Sequence, residues 1–140
     1  MKWRTITGLS VIIVAVGMLL HWRQARISEF DMKFRRDLAG TWSAELDNMR
    51  LTNVVMPDGS FTCQLKFRHP ERTNTYQETG TWQIKGGHLI ETVKSDTNPT
   101  AVSPRSHAGR ILRTRAGEFV VQWQGSPDEW VWQKLDDSKQ

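Results

Sequence analysis

Cysteine is almost absent from this chain, with Cys63 the only one. That excludes an internal disulfide framework and any metal site built from several thiolates. Histidine is sparse too, and His21, His69, His88 and His107 are scattered with no pair at metal-ligand spacing. A structural zinc needs about four ligands, so neither a metal nor any other cofactor is expected. The chain also lacks a glycine-rich phosphate loop and a serine set in a nucleophile elbow. Carboxylates such as Glu45, Asp47, Glu78 and Glu91 are present, but none can be paired for acid–base work. Catalytic residues are therefore none, and no enzyme is expected. Glu78 and Glu91 stand apart in one respect, since each shares a strand face with apolar neighbours; a barrel rim or an exposed face would explain that.

Charge is missing from one long stretch. Residues 5–20 carry none and are mostly Val, Ile, Leu, Ala, Met and Gly. With His21 and Trp22 the run reaches about 18 residues, near the lower limit for a helix that crosses a bilayer. Trp3 and Trp22 bracket it, backed by Arg4 and Arg23. At about 1.5 Å per residue the two indoles stand roughly 28 Å apart, close to the hydrocarbon thickness. Residues 1–22 are thus expected to be a transmembrane anchor with those four residues at its interfaces. The competing reading is a cleaved signal peptide, with Lys2 and Arg4 as its basic start; no small-x-small site follows the run, and no cysteine follows for lipid attachment. A third reading is a buried core helix.

The formal charge of +4 and the pI near 9.6 suggest a polyanionic partner. Residues 1–36 hold seven basic side chains against two acidic, a net of +5, whereas residues 37–140 hold twelve against thirteen, a net of −1. The positive charge is therefore a collar around the apolar run. Lys94, Arg110, Arg113 and Arg115 are the only other basic cluster, with Glu118 and Asp128 nearby. The bilayer is an expected partner and nucleic acid is not. A plain Lys/Arg count places the C-terminal side in the cytoplasm, against the pull of the short basic tail before the run.

After the apolar run, Ile27, Phe30, Phe34 and Leu38 recur at helical spacing. Residues 23–39 are expected to be a basic, amphipathic juxtamembrane helix or linker, closed by Gly40. Ile27, Phe30 and Phe34 are candidates for contact with a membrane-protein partner or with anionic headgroups. The plainer reading is that the stripe packs under the domain that follows.

From Gly40 the period changes to two. Phe61, Cys63, Leu65 and Phe67 face one way, with Thr62, Gln64 and Lys66 opposite, after a Pro57-Asp58-Gly59 turn. Cys63 on that apolar face reads as a small buried hydrophobe, not a nucleophile. Further strands are expected over residues 40–46, 51–56, 76–85, 88–94, 110–115, 118–124 and 129–135, joined by Gly86-Gly87 and Ala116-Gly117 turns. Residues 95–106, with two prolines and five Ser/Thr, read as a long loop. The fold class is all-β: a small up-and-down barrel of about eight strands over residues 40–136, preceded by one N-terminal transmembrane helix and followed by a tail, 137–140.

Gly40-Thr-Trp42, Met56-Pro-Asp-Gly59-Ser-Phe61 and Gly80-Thr-Trp82-Gln-Ile84 with Gly87-His-Leu89, taken in order, are similar to the short bacterial lipocalin-like domains. The resemblance covers about residues 38–135. It implies that the Trp42 indole closes one end of the barrel, that Gly40, Gly59, Gly80 and Trp82 are structural, and that Lys134 packs over Trp42. It also implies a periplasmic, extracytoplasmic domain with a cytoplasmic N-terminus. The chain departs from the family in being shorter and in lacking a C-terminal helix and a disulfide. Trp82, Trp123, Trp130 and Trp132 fall on strands and either fill the core or line a pocket for an apolar ligand, for which Trp82 and Trp123 are the candidates; an eight-stranded barrel has room for one or the other. The expected function is a non-enzymatic accessory subunit of a membrane complex. The alternative is a binding protein for a small lipophilic ligand.

Overall fold

The helical period of the first quarter becomes one uninterrupted helix, α1 (Arg4–Leu38). The computed structural model describes the backbone of residues 4–135 and the side chains of residues 13–135. Trp3, and the side chains of Arg4 and of the first half of the expected span, lie outside what is so described. Among the described residues no helix is long and apolar enough to cross a membrane. What α1 does show is apolar surface on every side: Ile13, Val14, Val16, Met18, Leu19, Leu20 and Trp22 are all 49–68% exposed. Arg26 lies over the Trp22 ring at 4.1 Å, so that indole and its neighbouring charge share one face.

Eight antiparallel strands follow: β1 (Gly40–Leu46), β2 (Met49–Val55), β3 (Ser60–Arg68), β4 (Thr73–Lys85), β5 (His88–Asp96), β6 (Arg105–Arg115), β7 (Glu118–Trp123) and β8 (Glu129–Lys134). Each pairs with the next, and β8 returns to β1 to close the barrel. That closure is short, with Trp42 opposite Lys134 and Ser43 opposite Gln133. Closure removes both sheet edges. Period-two alternation turns Trp42 and Ala44, Phe61 and Cys63, Leu89 and Val93, and Phe119 and Val121 into a single core.

The helix is the floor of this barrel. Phe34 and Leu38 are 6% and 1% exposed and belong to the same core as the strands. Phe34 meets Phe119 edge-on at 5.5 Å, and Phe119 in turn meets Trp42 edge-on and stacks on Trp132. The Trp42 indole donates to the Leu38 carbonyl at 2.7 Å, satisfying one of the acceptors that every helix end leaves open. Two turns earlier, Asp31 accepts the Gly86 and Gly87 backbone N–H groups at 2.7 and 3.0 Å. Both glycines have positive φ, which turns two successive N–H groups toward one carboxylate.

The plainer reading of the apolar stripe holds: residues 31–38 are the barrel's end wall, because burying the stripe needs an apolar surface and the barrel floor supplies it. Phe34 is thereby withdrawn from any partner; Phe30, 37% exposed, stacks on it at 5.9 Å, and Ile27 is half-buried. The long loop also shrinks to residues 97–104, since β5 runs on to Asp96 and β6 begins at Arg105. Those two residues pair inside the barrel, so charge that reads as loop in the sequence is an internal ion pair between strand ends.

Candidate ligand site inside the barrel

The two halves of the barrel are filled differently. Toward α1, the side chains of Trp42, Phe61, Trp82, Leu89 and Phe119 pack without polar interruption. Toward the opposite end, near the 97–104 loop, lies a cavity of about 270 Å³ lined by Trp123, Trp130, Trp132, Leu51, Leu65 and Cys63 and by four polar residues, Asn53, Glu78, Glu91 and His107. The expected choice between filled core and pocket is thus divided along the barrel axis.

Strand alternation puts the polar groups inside. On β4, Tyr76, Glu78, Gly80 and Trp82 share the inward face; on β5, Leu89, Glu91 and Val93 do. The carboxylates that suggested a rim are therefore interior, their side chains only 13% and 11% exposed. On β6 the inward residues are Arg105, His107 and Gly109. Gly109 is required by close approach, because an added Cβ would lie 2.2 Å from Val121 and 2.8 Å from Trp123.

These groups form two connected sets. Glu91 Oε2 faces His107 Nε2 at 3.2 Å, and Asn53 Nδ2 donates to Glu91 Oε1 at 3.3 Å. The Arg105 guanidinium donates to Glu78 and, at 2.8 Å, to Asp96 Oδ2. Burial raises the Glu78 carboxyl above its ordinary range, and the Arg105 charge offsets this only in part. For Asp96, burial acts in the same direction but is outweighed by the Asn98 N–H and by Arg105, which together hold it low. Burial, then the charges of Glu91 and Glu78, push the Cys63 thiol far above the ordinary range, so it is not a nucleophile. The indoles join the same network, with Trp123 edge-on to His107 at 4.7 Å and to Trp130 at 6.2 Å.

Three buried side-chain atoms have no hydrogen-bond partner among the described residues: Asn53 Oδ1, Trp123 Nε1 and Trp132 Nε1. All three side chains line this cavity. Buried polar groups are nearly always satisfied, and these three exceptions sit on side chains that border one space. A wider groove of about 600 Å³ runs between α1 and the β6–β7 turn, lined by Phe30, Lys33, Asp37, Arg115 and Lys134 among others. Its charges alternate in sign and no buried orphan borders it, so it lacks the marks of a built site.

Of the two pocket candidates, Trp123 lines the cavity and Trp82 does not. Trp82 sits toward the floor, where its N–H is shared between the Met56 and Ser60 carbonyls and Arg35 of α1 lies 5.9 Å from its ring. Lys134 Nζ lies 5.4 Å from the Trp42 ring centroid, and Gly40 passes so close that an added Cβ would meet Lys134 Cε at 2.7 Å. Gly59 holds the β2–β3 turn at φ +90°. Gly80 lies at a bulge of β4, where an added Cβ would fall 2.0 Å from the Thr92 carbonyl oxygen. Sequence reasoning passed over Asn53, Arg105 and His107; inward parity on β2 and β6 was the signal available for them. No group of three or more potential metal ligands occurs among the described residues. No protein-family model matches the chain, and no curated protein is significantly similar to it.

Proposed function

We propose that this chain is a non-enzymatic, membrane-tethered binding protein: a lipocalin-like barrel, carried on an N-terminal anchor helix, that takes up one small ligand in the half of its interior away from the helix. The observation that carries the reading is the cavity of about 270 Å³ with its three unpartnered polar atoms, in a barrel whose other end is sealed by its own helix. The volume lies near the lower edge of small-molecule pockets, about 300 Å³. Three indoles and two leucine side chains supply apolar contact, and a few convergent polar groups fix orientation. The tether is supported by the uncharged run at residues 5–20 and by the apolar side chains exposed all round α1 from Ile13 to Trp22. The extracytoplasmic placement of the barrel follows from the family resemblance.

The test is thermal unfolding of the full chain in mild detergent with neutral and charged aromatic compounds of about ten non-hydrogen atoms. Binding to the folded state raises Tm with ligand concentration, and Leu65→Trp, which fills the cavity, abolishes the rise. If no compound of any charge shifts Tm, the binding function is wrong.

A second reading, an accessory subunit packed against a membrane complex, is favoured by the same exposed surface of α1. Co-purification after detergent extraction tests it: a chain that emerges alone and monomeric refutes that assembly.

A further inference from the structure

We infer that the ligand is a small organic cation: an amine whose ammonium group sits against Glu91, Glu78 and the indole rings, and which carries a hydrogen-bond acceptor at its other end. This rests on the binding role proposed above.

The first argument is charge. Among the described residues, the cavity end of the barrel holds three carboxylates, Glu78, Glu91 and Asp96, and one permanent cation, the partly exposed Arg105, which is engaged by Glu78 and Asp96. Glu91 is left with His107 and Asn53 alone. His107 is cationic only when protonated, so Glu91 has no permanent cation beside it, and a ligand ammonium supplies one. An anion would face the two lining carboxylates with no unpaired permanent cation among the described lining residues to receive it.

The second argument is the one unpartnered acceptor. Asn53 Oδ1 has no donor, and it lies on the side chain that already donates to Glu91. An ammonium, with up to three N–H groups, serves Glu91 and this amide oxygen at once. A purely apolar ligand would leave Asn53 Oδ1 and both indole N–H groups orphaned. The third argument is the ring set. Trp123, Trp130 and Trp132 border the same space, and indole is the strongest of the aromatic partners for a cation. The Trp123 and Trp132 N–H groups in turn call for an acceptor, such as a hydroxyl or carbonyl oxygen, elsewhere on the ligand. Since benzene occupies a cavity of roughly 150 Å³, the space suits about ten non-hydrogen atoms.

Isothermal titration of the full chain in detergent separates these features with four probes. Tyramine has the ammonium and an oxygen; phenethylamine lacks the oxygen; tyrosol replaces the ammonium by hydroxyl; 4-hydroxyphenylacetate replaces it by a carboxylate. Tyramine is expected to bind best, tyrosol at least about tenfold more weakly for want of charge-assisted hydrogen bonds, and the carboxylate not at all. Phenethylamine should fall between tyramine and tyrosol. Glu91→Gln should lower tyramine affinity by about tenfold or more while leaving tyrosol unchanged. Glu78→Gln, checked for an unaltered near-UV spectrum, gives the same result in weaker form should the Glu91 variant fail to fold. Equal or stronger binding of tyrosol or the carboxylate overturns the amine assignment and leaves the binding site standing. No binding by any of the four overturns both.

Discussion

Replacing Phe34 by alanine asks whether the end of α1 is structurally part of the barrel. Phe34 is 6% exposed, edge-on to Phe119 and stacked on Phe30, whereas Phe30 is 37% exposed and borders the open groove. Truncating a buried phenylalanine costs about 3–5 kcal/mol, transfer and cavity together. Phe30, already partly in water, should cost about 1–2 kcal/mol. With a urea slope of about 2 kcal/mol per molar, Phe34→Ala lowers the unfolding midpoint by about 2 M and Phe30→Ala by less than about 1 M. Phe34→Leu, which keeps part of the contact, falls between. The assay is equilibrium urea unfolding of the full chain in mild detergent, followed by tryptophan fluorescence, to which Trp42 and Trp132 beside Phe119 contribute. Equal shifts for the two alanine variants would refute the reasoning. So would a Phe34→Ala shift below about 0.5 M, because the helix would then rest on a barrel that stands without it.

Three further outcomes are expected. Asp31→Ala removes the acceptor of two backbone N–H groups and should cost about 1–3 kcal/mol, with faster hydrogen exchange at Gly86 and Gly87; unchanged exchange there would dismiss the latch. For pH, the raised Glu78 contributes stability that is complete below the unfolded carboxylate value of about 4 and is lost as pH rises through its folded value; the lowered Asp96 contributes above that range and loses its share as pH falls through its own. Glu78→Gln should therefore flatten the fall in urea midpoint from about pH 4 upward, and Asp96→Asn the fall on strong acidification; wild-type profiles in both variants would contradict the signs. Cys63, buried with its thiol pushed up, should resist iodoacetamide in the folded chain at pH 8 and react at the urea-unfolding rate; immediate labelling would show that the cavity admits solvent freely.

Much of the barrel could be read from the chain because its signals are local. Alternation of apolar and polar residues, punctuated by Asp58-Gly59, Gly86-Gly87 and Ala116-Gly117, places the strands, since each turn fixes the register of its own hairpin. The site was legible only in part. Parity alone turns Glu78 and Glu91 inward, but a rim was the safer reading while no partner could be named for them. Their partners, Arg105 and His107, lie at the end of and just beyond a Pro/Ser-rich stretch that resembles a loop until its ends are tied across the barrel. Trp82 and Trp123 are alike in sequence, both aromatic and both inward, yet one seals the floor and the other lines the cavity; height along the barrel axis depends on the register of all the strands together. The Asp31 latch had no local signal, being an encounter between a helix and a turn 55 residues away.

The absence of any joint between helix and barrel has a mechanical consequence. A domain on a flexible leash explores a volume set by chain statistics, and its contact probability with neighbours follows the leash length. Here Leu38 lies inside the core and Gly40 already belongs to β1, so the barrel stands on its helix as on a mast. From Trp22 to Asp31, where the helix first meets a barrel turn, the axis rises about 14 Å, and where Trp22 marks a bilayer surface, as on the tethered reading, the near side of the barrel stands at that height. On the membrane-tethered reading proposed above, the cavity end of the barrel faces away from the lipid, and the position of the barrel changes only as its helix tilts.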